Sequence, residues 1–211
     1  MNFIFQDSAF VEKKESNING LMYLPGFTDS FLNNRGHAFK DNIYQPSEEI
    51  TDCNLNTLQK ILESVNVQNV VEIGVARNGT RSFTHKLIQN KKGIYCGIDI
   101  EDKSFLNDSE NNIYTIKKNS FDQIEIRKFF KKINLKSISV LFIDGDHSVN
   151  GVINDWLYTD LLEPKGVVVL HDTNHHPGPN LILDAINKSQ YNVESYCNNF
   201  CDYGISAAYK I

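Results

Sequence analysis

The chain has few cysteines, and none of the four (Cys53, Cys96, Cys197, Cys201) sits in a CxxC pair or at zinc-ligand spacing. That argues against a structural zinc site and for free or buried thiols in a reducing compartment, with Cys197 and Cys201 the one pair near enough to meet. Basic charge is also lacking. Lys and Arg total 21 against 26 Asp and Glu, a net charge of −5, so no positive field is present to neutralise phosphates and a dedicated nucleic-acid binder is disfavoured. No apolar run approaches the roughly 20 residues of a membrane span. The opening MNFIFQDSAF has neither the basic flank nor the apolar length of a secretory signal. A cytoplasmic protein without membrane or nucleic-acid partners is expected.

What remains is an ordinary globular composition, 41% apolar and 22% charged, on a length suited to one sizeable domain. Residues 1 to about 50 stand apart, being rich in Asn, turn formers and aromatics without a sustained period. Phe3, Phe5, Phe10, Tyr23 and Phe27 supply apolar surface, so this segment reads as a cap or arm packed on a folded body. The expected division is an arm over 1–53, serving an acceptor pocket or an oligomer contact, and a catalytic domain over 54–211.

From Asn54 the pattern turns regular. Asn54 or Asn56 can cap a helix with Leu55, Leu58, Ile61, Leu62 and Val65 on one face. Apolar runs then follow at 70–73, 94–98, 113–116, 138–143 and 167–170, with Gly166 marking the turn before the last of them. Helical patterns lie near 80–90, 122–133, 149–162 and 179–189. Strands buried on both faces and separated by helix-length segments predict an α/β fold with a doubly wound, parallel sheet. The tail holds two strand-like stretches, 191–197 and 203–210, with no helix between them, which predicts an antiparallel hairpin at the sheet edge.

Such sheets bind ligands at the carboxyl ends of their strands. The first strand ends Glu72-Ile73-Gly74-Val75-Ala76-Arg77-Asn78-Gly79-Thr80. Gly74 permits close backbone approach, and Gly79 opens the next helix. The spacing is neither a dinucleotide fingerprint nor a Walker A loop. An acid at Glu72 suits a ligand bearing a cationic amino group better than a phosphate. The second strand ends in Asp99, placed to accept both ribose hydroxyls of an adenosine. Lys118-Asn119-Ser120 follows the third strand, with polar side chains for an adenine edge. The fourth ends Asp144-Gly145-Asp146-His147-Ser148 and the fifth His171-Asp172-Thr173-Asn174-His175-His176. Charged residues directly after apolar strands are costly unless they bind something. One of Asp146 and Ser148 is expected merely to cap the next helix. Asp144 and Asp172 offer two oxygen ligands to a divalent cation, and His171 would tilt such a site toward a transition metal. His175 and His176 read as loop residues near it by accident.

These blocks, with Gly151, Asp155-Trp156 and Leu161-Leu162-Glu163-Pro164-Lys165-Gly166-Val167, resemble the class I methyltransferases that use S-adenosylmethionine (AdoMet). The nearest group resembles bacterial small-molecule O-methyltransferases of the macrocin and cephalosporin-biosynthesis type, over about residues 68 to 211. The resemblance implies a Rossmann-like sheet of seven strands with the last inserted antiparallel, Glu72 and Gly74 lining the methionine of AdoMet, and Asp99 holding its ribose. With Gly79, Ser120 and Asp144 these are the expected cofactor contacts. In metal-dependent relatives an aspartate matching Asp144 and an acidic pair matching His171-Asp172 hold Mg²⁺; here histidine replaces the first acid of that pair. The expected reaction is methyl transfer to a hydroxyl of a small molecule or sugar, with Asp144 and His147 catalytic, His147 as general base, and Asp144, His171 and Asp172 as metal ligands. A homo-oligomer is expected. An NAD-dependent oxidoreductase shares the ribose carboxylate but needs a pyrophosphate glycine pattern, and a non-catalytic protein of the same fold is the third reading.

Overall fold

Apolar runs too short for buried helices form the strands of a single sheet. The computed structural model describes residues 52–76, 84, 88, 92–196 and 203–211. The first fifty residues, Gly79, Cys197 and Cys201 therefore lie outside the described residues, as do the expectations placed on them.

Helix α1 (Asp52–Ser64) buries Leu58, Ile61 and Leu62, the stripe that the period predicts. Asn54 and Asn56 lie inside this helix, so neither is its cap. The strands are β1 (Val70–Ile73), β2 (Tyr95–Asp99), β3 (Ile113–Lys117), β4 (Ile138–Ile143), β5 (Leu162–His171), β6 (Tyr191–Tyr196) and β7 (Ile205–Lys210). They form one seven-stranded sheet in the order β3-β2-β1-β4-β5-β7-β6. The first five are parallel, and β7 is inserted antiparallel between β5 and β6. The tail hairpin is thus present, with its second strand the inner one.

Three other elements differ in extent from the pattern. Helix α2 (Gln123–Lys132) matches its period, whereas α3 (Val149–Trp156) gives way to a 3₁₀ turn over Leu157–Leu161. Helix α4 (Pro177–Ala185) starts earlier than 179 because Pro177 suits the first turn, and it stops where Ile186 turns extended. Strand β5 begins at Leu162, opposite Ile138, with a register shift before Val140 meets Val167. Glu163–Gly166 is therefore a bulge within a strand, with Lys165 at φ +63°, and not a turn that ends before one.

Each sheet face carries its own core. Val71, Ile73, Ile98, Leu141 and Ile143 pack against α2, α3 and α4, with Trp156 fully buried. Val70, Tyr95, Val140 and Phe142 pack against α1. Among the described residues no helix is long and apolar enough to cross a membrane. Cys96 is buried and free, and burial pushes its thiol far above the ordinary range, so it is an inert core residue.

Candidate active site

Strand order reverses between β1 and β4, the position where open α/β sheets leave a crevice. Gly74 closes the base of that crevice. Its φ is +85°, and an added Cβ would stand 2.0 Å from the backbone oxygen of Asp144, so no larger residue lets the two strand ends meet. Above this contact opens a cavity of about 390 Å³, lined by Gly74, Asp99, Ser120, Asp144, Asp146 and His147 among others. Its volume suits a small molecule or cofactor.

Asp99 is fixed in the wall. Its Oδ2 accepts from the Val75 amide at 2.8 Å and its Oδ1 from the Glu101 amide at 2.7 Å. Each carboxylate oxygen retains acceptor capacity toward the cavity. Ser148 caps α3, accepting from the Gly151 amide at 2.9 Å, and Asp146 accepts from the Ser148 amide. Both residues thus serve the turn after β4. Beneath the floor lies Asp155, fully buried, its Oδ2 3.3 Å from where a Cβ on Gly145 would sit.

Beside Asp144 and His147, which line the cavity, acids and imidazoles interlock. His171 Nδ1 is 3.1 Å from both Asp144 Oδ1 and Asp172 Oδ1. His147 Nε2 is 2.9 Å from Asp172 Oδ2 and 3.5 Å from Asp144 Oδ1. Burial disfavours charge on all four. The pairing outweighs it, holding Asp144 and Asp172 below the usual carboxylate range and His171 well above the usual imidazole range. For His147, burial lowers the imidazole, but hydrogen bonds to Asp144 and Asp172 lift it to about 9.

Residues 71–173 match the methyltransferase domain family. The fold is that of the class I methyltransferases. An O-methyltransferase from Bacillus cereus, solved with S-adenosylhomocysteine, superposes with a TM-score of 0.56 at 15% identity, covering 79% of this chain and 84% of that one. MycE, the methyltransferase of the mycinamycin pathway solved with Mg, S-adenosylhomocysteine and mycinamycin VI, gives 0.53 at 16% identity, covering 74% of this chain and 49% of that one. An uncharacterised protein of Acanthamoeba polyphaga mimivirus is 31% identical over 132 residues, 56% of this chain and 57% of that protein. The chain thus spans about half the length of the last two.

On this methyltransferase scaffold, Gly74, Asp99, Ser120, Asp144 and His147 reach the cavity as the sequence pattern anticipates. Glu72 does not line it among the described walls. It shares the β1 face of Val70, is 1% exposed, and accepts a hydrogen bond from the Tyr95 hydroxyl. Gly79 falls outside the described residues.

His176 departs from expectation. The loop after β5 doubles back because Asp172 adopts φ +60° and its carbonyl accepts from the amides of both His175 and His176. That brings His176 Nε2 to 3.7 Å from Asp172 Oδ2 and stacks its ring on His147, centroids 4.3 Å apart and planes 1° from parallel. The four-residue spacing from Asp172, just before a proline that starts a helix, was the available signal. The loop is also tied to the chain's end: the Asn174 amide donates to the Tyr203 carbonyl at 2.8 Å, Ser206 Oγ donates to Thr173 Oγ1 at 3.1 Å, and His171 pairs with Ile205 across the sheet.

Proposed function

We propose that this protein transfers a methyl group from AdoMet to a hydroxyl of a small molecule or sugar. The observation that carries this reading is one cavity lined by Gly74 and Asp99, an adenosine-type wall, and by Asp144 and His147, with Asp172 paired to His147 beside it. Asp99 would accept from the ribose hydroxyls, and Ser120 with its neighbours would meet the adenine. Glu72, held by Tyr95 behind Gly74, would stand behind the cofactor's methionine end and not in contact with it.

Methyl transfer is an in-line displacement, so most of the catalysis is holding the acceptor oxygen against the sulfonium methyl. Deprotonation falls to His147, which faces the cavity. As the site stands, Asp144 and Asp172 hold a proton on that ring at neutral pH. The base is therefore free above about pH 9, or when positive charge at the two carboxylates takes the proton's place. Asp144 and Asp172 would hold a divalent cation, which when bound supplies Lewis acidity that lowers an acceptor hydroxyl's pKa. The donor chemistry fits a divalent cation, while His171 between the carboxylates suits Mg²⁺ poorly.

In this reading residues 1–53 shape the acceptor pocket or an oligomer contact, and 54–211 form the catalytic unit of a cytoplasmic enzyme. Calorimetry with S-adenosylhomocysteine and with NAD separates the methyltransferase from the oxidoreductase; millimolar S-adenosylhomocysteine without heat of binding rejects the proposal. Methyl-labelled AdoMet with a panel of sugars, phenols and glycosylated metabolites, with and without EDTA, then tests the acceptor class and the cation.

A further inference from the structure

We infer that Asp155 is a positioning residue for the purine end of the cavity: it accepts the hydrogen bond of the Ser120 hydroxyl from beneath the wall, leaves only the Ser120 lone pairs facing the ligand, and so makes the wall take a 6-aminopurine and turn away a 6-oxopurine. The inference rests on the reading of this cavity as an AdoMet site and adds to it the group that sets base specificity.

Asp155 lies in α3, fully buried, against two residues that line the cavity, Ser120 and Gly145. Its carboxyl group accepts from the side chains of Ser120 and Asn154, with Asn154 Nδ2 at 3.3 Å from Oδ1. Its Oδ2 stands 3.3 Å from where a Cβ on Gly145 would sit. Ser120 is only 8% exposed, and its main chain is fixed as well, because its carbonyl accepts from the hydroxyl of the buried Tyr158 at 2.8 Å. The residue is thus held at two points, once through its backbone and once through its hydroxyl.

A serine hydroxyl has one proton to donate and two lone pairs to offer. With the proton committed to Asp155, the lone pairs remain for the cavity. An exocyclic amino group of a purine donates to them. A carbonyl in the same place sets acceptor against acceptor and leaves a buried polar group unpaired. The second observation is that Asp155 suits packing badly. Its Oδ2 is buried without a hydrogen-bond partner among the described residues, which destabilises the fold. A residue that only filled this space would do better apolar, as Val152, Ile153 and Trp156 of the same helix are. The acid and the carboxylate both keep an acceptor oxygen for Ser120, and the unpartnered Oδ2 is the place for a proton.

The test is calorimetry of the full chain with S-adenosylhomocysteine and with S-inosylhomocysteine, its 6-oxo analogue. The unaltered protein is expected to bind the amino form about 10- to 100-fold tighter. Asp155→Ala returns the Ser120 proton to the cavity and should bring the two ligands to within about threefold of each other, and Ser120→Ala should do the same. Adding Asp155→Ala to Ser120→Ala should then change the ratio no further. Asp155→Asn keeps an acceptor oxygen and should retain a preference of about tenfold or more, and it reports on the residue even where the alanine variant fails to fold. A purely structural role would move both affinities together and leave their ratio alone. Equal affinities in the unaltered protein, a full preference in Asp155→Ala, or its loss in Asp155→Asn overturns the inference. Absence of S-adenosylhomocysteine binding to the unaltered protein defeats the methyltransferase reading and this one with it, whereas binding without discrimination defeats this one alone.

Discussion

Replacing Asp155 by Asn should stabilise the protein, and by more at alkaline pH. Asp155 is fully buried in α3 under the cavity floor, and its Oδ2 meets no hydrogen-bond donor among the described residues. Burial pushes its carboxyl up to about 7, against hydrogen bonds from Ser120 and Asn154, with Asp146 adding repulsion and His147 opposing it. An unfolded aspartate titrates near pH 3.9, so the unfolded chain gives up this proton about three units before the folded one does. The folded state therefore loses stability as pH rises from about 4 to about 7 and is level above that. Integrating the linkage gives a cost of about 1.5 kcal/mol at pH 5 and about 4 kcal/mol at pH 8. Asparagine keeps the shape and cannot ionise. Urea unfolding of both proteins, followed through Trp156, the only tryptophan and buried against Tyr191, should show the variant's advantage growing by about 2.5 kcal/mol between those pH values. A difference that stays flat with pH would refute the argument, since it would mean that Asp155 already carries its charge at pH 5.

Gly74→Ala should cost about 2 kcal/mol or more in urea and remove S-adenosylhomocysteine binding, because both its φ and its contact with Asp144 forbid a Cβ; normal calorimetry on this variant contradicts the cavity assignment. Asp99→Asn turns an amide donor against either the Val75 or the Glu101 N–H, so affinity for S-adenosylhomocysteine should fall about 10- to 100-fold. Unchanged affinity removes Asp99 from the cofactor site. His147→Ala should lower kcat by about 10²- to 10⁴-fold with little change in cofactor affinity, and a near-normal rate excludes it as the base.

The architecture was legible because parallel strands buried on both faces spell themselves as unbroken apolar runs, and the polar residues that end them mark the crevice. Asp99, Asp144, His147 and Asp172 could be read in this way. Which face a residue takes could not, for the same reason: a strand such as Val70–Ile73, buried at every position, shows no alternation, so Glu72 gave no sign that it turns toward Tyr95 and away from the cavity. His176 was hidden by backbone geometry. The left-handed turn at Asp172 folds the loop back, and no periodicity encodes that. The boundaries of α3 and β5 were missed where a 3₁₀ turn and a bulge carry the pattern on without its period.

The strand inserted last has a temporal consequence. Every candidate ligand has left the ribosome's catalytic centre by His176, yet the loop bearing Asp172 and His176 is laced to Tyr203, Ile205 and Ser206. A nascent chain ending near residue 190 would carry these side chains without the ties that hold their loop to β7. Synthesis must run past Ser206 before the loop bearing Asp172 and His176 gains these ties.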